Sequence, residues 1–83
     1  MPVKAKLKSV ERNTSYKVNG KSPYQLVAHW QDPATSELYI FRSENIWYDP
    51  TDYLQAEEVT VFAEEGDPKN YAFDLDFLPQ IAN

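Results

Sequence analysis

The side chains of this 83-residue chain that can do chemistry are one histidine, thirteen carboxylates, eight basic groups and twelve aromatic rings; cysteine is absent. Without cysteine there is no disulfide framework, no thiolate metal site and no thiol nucleophile. His29 needs a neighbouring nucleophile or an orienting acid to serve as a general base, and the adjoining residues Ala28 and Trp30 supply neither. It reads as a structural or exposed histidine. The acids Asp49, Asp52, Glu57, Glu58, Glu64, Glu65, Asp67, Asp74 and Asp76 raise the question of calcium. That ion needs about six to eight oxygens converging on one point, and Asp49-Pro50-Thr51-Asp52 lacks the spaced ligand set of an EF-hand loop. Asp74 and Asp76, two apart on a strand, would share one face with their roots about 7 Å apart. A solvated acidic face is the plainer reading, and a divalent-metal or small-ligand module using that face is the alternative. A glycosidase-type carboxylate pair has no support, because its separation is set by the fold.

The aromatic residues Tyr16, Tyr24, Trp30, Tyr39, Phe41, Trp47, Tyr48 and Tyr53 can make a stacking platform of the kind small β-barrels use on single strands. Here the surround is acidic, which opposes phosphate. Trp47, Tyr48 and Tyr53 flank the Asp49-Pro50 break and are expected at the surface, where an aromatic cluster marks a protein interface. Lys4, Lys6 and Lys8 alternate with Val3, Ala5 and Leu7 and are expected on one outward face. There they pair with cross-strand acids, blunt edge-to-edge association, or attract an anionic membrane surface.

Strands must position these groups, because period-two alternation dominates the chain. Residues 3–10 read as a half-buried strand. Tyr16 and Val18 lead into an Asn19-Gly20 turn. Residues 24–31 place Tyr24, Leu26, Ala28 and Trp30 on one face. A loop with Pro33 at a turn position joins them to Leu38–Arg42, predicting a hairpin between 24–31 and 38–43. Val59–Ala63 is a further strand. Glu65–Pro68 turns the chain into 71–77, with Tyr71, Phe73, Leu75 and Phe77 inward, Asp74 and Asp76 outward, and Leu78-Pro79 as the stop. The expected fold is all-β, with five to six short antiparallel strands in a meander forming a small barrel or sandwich. The length suits one domain over residues 1–83.

The hydrophobic fraction of 42% argues for a folded chain. No apolar run nears the ~20 residues that span a bilayer, so the chain as it stands reads as soluble. The net charge of −5 is unevenly laid out. Residues 1–21 carry Lys4, Lys6, Lys8, Arg12, Lys17 and Lys21 against Glu11, and residues 22–83 carry Arg42 and Lys69 against twelve acids. That balance disfavours nucleic acid as a partner.

Five segments together resemble a known group. They are Val10-Glu11-Arg12-Asn13, Val18-Asn19-Gly20-Lys21-Ser22-Pro23-Tyr24, Trp30-Gln31-Asp32-Pro33-Ala34-Thr35, Tyr39-Ile40-Phe41-Arg42-Ser43 and Asp74-Leu75-Asp76-Phe77-Leu78-Pro79. Over residues 9 to 79 the chain resembles the soluble β-domain of small bacterial membrane proteins belonging to a domain-of-unknown-function family. In these, one or two membrane helices carry a compact β-domain. The resemblance implies a bacterial protein, membrane-anchored through a helical segment missing here, with the domain either excised or a soluble relative. It carries no catalytic, cofactor or metal residues. The expected function is therefore non-enzymatic: protein interaction, or self-association, through Trp47, Tyr48, Tyr53, the loops around Asp32-Pro33 and Asp49-Pro50 and the Lys4, Lys6, Lys8 face, with an unknown protein or the chain itself as partner and no cofactor.

Overall fold

A computed structural model describes residues 1–54 and 56–79. Five strands form one antiparallel sheet: β1 (Pro2–Arg12), β2 (Tyr24–Gln31), β3 (Leu38–Arg42), β4 (Glu58–Glu64) and β5 (Asp67–Phe73). The spatial order is β3-β2-β1-β4-β5. The first three strands follow one another as neighbours. The chain then leaves β3, passes through a 3-10 turn at Thr51–Tyr53, and resumes on the far side of β1. The sheet curls into a half-barrel, its edge strands β3 and β5 approaching each other through Phe41 and Tyr71, whose ring centroids lie 4.6 Å apart.

Alternation sets the inner face. Val3 and Ala5 from β1, Leu26 and Ala28 from β2, Phe41 from β3, Val59 and Val61 from β4 and Phe73 from β5 are buried together. Ile46, from the crossing segment, closes one end of this core and is held to β2 by reciprocal backbone bonds of 2.7 Å with Tyr24. In β1 the alternation slips once. The register passes from Leu7 opposite Ala28 to Ser9 opposite Val27, so Lys8 is an extra residue, a β-bulge, and Val10 returns to the inner face opposite Leu26. This explains how an 11-residue strand keeps Val3, Ala5 and Val10 on the core side although their spacing is uneven.

The turns follow residue chemistry. Val18 and Lys21 exchange backbone bonds of 2.9 and 3.0 Å around Asn19 (φ 52°) and Gly20 (φ 77°), both in the left-handed region that a type I′ hairpin needs. The 24–31/38–42 hairpin forms with Trp30 opposite Tyr39 and Ala28 opposite Phe41. The expected 71–77 strand requires correction. β5 starts at Asp67 and ends at Phe73. Beyond it the Asp74 carboxylate accepts the Asp76 N–H at 3.0 Å and Leu78 N–H bonds Leu75 O at 2.9 Å, a local turn that competes with the ladder. Phe77 is consequently exposed, and Asp74 and Asp76 do not share a strand face.

Candidate interaction surface

The open edge of β3 is built by the ladder's own alternation. Opposed residues of an antiparallel pair alternate between exchanging backbone bonds and not exchanging them. At one end of the hairpin Ser43 N–H bonds Leu26 O at 2.9 Å, and at the other Asp32 N–H bonds Glu37 O at 2.9 Å. Counting inward through the uninterrupted register, Tyr39 and Phe41 direct their N–H and C=O groups to β2. Leu38, Ile40 and Arg42 direct theirs away from the sheet. Arg42 is satisfied: its N–H donates to the Tyr71 hydroxyl at 2.9 Å, and that hydroxyl donates back to Arg42 O at 3.3 Å. The side chains of Leu38 and Ile40 lie on the outer face, 60% and 48% exposed. Among the described residues, two consecutive outward rungs of β3 thus combine open backbone groups with bare apolar side chains.

Behind this edge lies a shallow groove of about 830 Å³ on the outer face, lined by Lys4, Lys6, Lys8, His29, Gln31 and Leu38, with Glu57 and Glu58 at its far side. The expected lysine face is therefore present, and Lys8 joins it although the bulge interrupts the alternation. Lys6 stands in register between His29 of β2 and Glu58 of β4, and Lys4 Nζ donates to Thr60 Oγ1 at 3.2 Å. Across the same row His29 lies opposite Ile40, so the only histidine borders the open edge.

The inner face of the hairpin carries a stack of rings. Trp30, Tyr39 and Phe41 lie 5.8 to 6.4 Å apart with near-parallel planes. The Tyr39 phenol is pushed above its usual range, first by loss of solvation, then by the charge and hydrogen bond of Glu37 and the charges of Asp32 and Asp67. It stays protonated at neutral pH and donates to Glu37 Oε2 at 3.4 Å.

The aromatics expected to cluster around Asp49-Pro50 are divided. Trp47 and Tyr53 are exposed, at 50% and 41%. Tyr48 is half-buried, and its hydroxyl donates to Pro79 O at 2.9 Å. Tyr48 packs edge-on against Tyr53, whereas Trp47 meets Tyr16 at 5.9 Å. Neighbours in an extended segment point to opposite sides, which separates Trp47 from the other two. Tyr53 borders a second hollow of about 380 Å³ with Leu54, Phe77, Glu58 and Asp74.

The acids of the metal-module reading are dispersed. Asp49 accepts both the N–H and the hydroxyl of Thr51, bonds that hold its carboxyl below the usual range. Glu64 accepts from Asn70 Nδ2 at 2.6 Å. Among the described residues no group of three His, Asp or Glu side chains is placed to hold a metal ion, and no helix is long and apolar enough to cross a membrane.

Leu38, Ile40 and Tyr16 were not singled out as surface residues by sequence reasoning. One signal pointed to the first two: Leu38–Phe41 is apolar on both faces, and a chain of this length has little material to cover a second face. Comparison with family models, with curated proteins and with solved structures gives no match.

Proposed function

We propose that this domain is a protein-interaction module that binds by taking an extended strand along β3. The observation that carries the reading is the pair of open rungs at Leu38 and Ile40, where edge groups unpaired among the described residues coincide with exposed apolar side chains. Strand addition draws affinity from main-chain hydrogen bonds and specificity from the side chains on alternate positions. The groove beside Leu38 supports recognition on the same face, with Gln31 and His29 next in line and the lysines beyond. The membrane tether belongs to the same proposal: the outward Lys4, Lys6 and Lys8 give the first strand a cationic face suited to lie near anionic lipid, while Leu38 and Ile40 remain free to pair.

Titration of isotope-labelled protein with a synthetic peptide of residues 37–43 tests the edge. The amide resonances of Leu38 and Ile40 are expected to shift, and their exchange with solvent to slow, as the peptide pairs. Shifts confined to Tyr16 and Trp47, or none at all, would transfer the interaction site away from β3.

A further inference from the structure

We infer that the strand accepted by β3 is the β3 of a second copy of this chain, paired antiparallel about a two-fold axis at Tyr39. The inference rests on the strand-addition reading and narrows its partner. Because Tyr71 occupies the backbone groups of Arg42, the usable edge is limited to Leu38 and Ile40. A matching strand must offer two open rungs of the same spacing. The same segment does so: with Leu38 opposite Ile40 of the second copy, and Ile40 opposite its Leu38, both rungs of both copies are satisfied by four backbone bonds.

The side chains agree with this register. On the outer face Leu38 meets Ile40 and Ile40 meets Leu38, covering the most exposed apolar positions of the hairpin. On the inner face Tyr39 lies opposite Tyr39, extending the ring stack of Trp30, Tyr39 and Phe41 across the seam. Glu37, the one charged residue next to the paired rungs on its side, falls opposite Phe41 and not opposite its own copy, so like charges are not opposed in the ladder. The lysines sit on β1, two strands from the seam, and the two sets remain far apart. Two short strands bury a small area, in the range of transient contacts below about 1,200 Å². The pairing is therefore weak and reversible, and it becomes strong only where copies are concentrated, as on a shared membrane.

Sedimentation of the full chain from about 10 µM to 1 mM reads the pairing at concentrations suited to such weak contacts. The average mass is expected to rise from 9.6 kDa toward twice that value. Ile40→Lys should weaken association at least tenfold, and Leu38→Lys likewise, with circular dichroism unchanged. Phe62→Lys alters an equally bare apolar residue on the outer face of β4 and should leave association as it was. A chain that stays at 9.6 kDa to 1 mM overturns the second-copy inference. So does association that survives both edge variants or is abolished by Phe62→Lys. If the chain stays single while the 37–43 peptide still shifts Leu38 and Ile40, strand addition stands and only the pairing of two folded copies falls; if the peptide also fails, both readings fall.

Discussion

Strands β3 and β5 both lie at an edge of the same sheet, but their residues treat that position differently. β5 carries Pro68, which has no N–H to offer, and Lys69, and its pairing with β4 is interrupted beyond Ala63. These are the devices by which edge strands resist pairing. β5 also sends Tyr71 across to occupy the Arg42 end of β3. β3 has an unbroken register, no proline or lysine, and Leu38 and Ile40 on its open rungs. A sheet of five strands cannot avoid having two edges unless it closes. Here one edge is blunted and also covers part of the other, while a short length of the second is left open. Contrast within one molecule is more informative than exposure alone, because the composition of β5 shows what a protected edge looks like in the same chain.

The largest expected effect comes from removing the contact that couples the edges. Phe41 is nearly fully buried, packs on Tyr71 and completes the ring stack of the hairpin. Phe41→Ala should cost about 3–5 kcal/mol, a large share of the stability of a domain this small, and is checked by urea unfolding. If the loss is below about 1 kcal/mol, the half-barrel does not depend on the approach of β3 to β5.

Tyr71→Phe is a finer test of the same contrast. It keeps the ring but removes the hydroxyl shared with Arg42 N–H and C=O. A loss of about 0.5–1.5 kcal/mol is expected, with faster solvent exchange at the Arg42 amide, bringing it to the behaviour of Leu38 and Ile40. An unchanged Arg42 amide would mean that the edge is shielded there by something other than Tyr71.

The smallest effect concerns the segment that joins the two halves of the sheet. The Thr51 hydroxyl and then its backbone N–H lower the Asp49 pKa. A carboxyl whose folded value is depressed contributes its stability above the unfolded value and loses it as pH falls through the folded one. NMR titration should therefore give Asp49 a midpoint below that of an ordinary aspartate, and Thr51→Val should move it toward the ordinary value. Because Asp49 is exposed, the global stability is expected to change little. A midpoint unmoved by Thr51→Val would show that the turn is not organised by this pair.

The amino-acid sequence determined by itself what depends on nearest neighbours along the chain. Alternation placed Leu26, Ala28 and Phe73 on the inner face, Asn19-Gly20 at a left-handed turn, and 24–31 against 38–43 in a hairpin. These follow from the period of a strand and from which residues tolerate positive φ. Lys4, Lys6 and Lys8 were legible as outward for the same reason. The return of Val10 to the inner face was not, because a bulge is decided by how β1 must bend between β2 and β4.

Other features needed the tertiary structure because they depend on pairings distant in the chain. The jump of the chain from β3 to the far side of β1 left β3 at an edge, and a run apolar on both faces then had one face without cover. The end of β5 at Phe73 was hidden by continued alternation to Phe77; the Asp74 side chain provides a competing local bond that period alone cannot weigh. Trp47, Tyr48 and Tyr53 are close in sequence, yet an irregular segment sends Trp47 to Tyr16 and Tyr48 to Tyr53. The open rungs at Leu38 and Ile40 are the strongest case. Their residue types are plain in the sequence, but whether their backbone groups face β2 or solvent is fixed by ladder parity and by Tyr71, a residue 29 positions from Arg42.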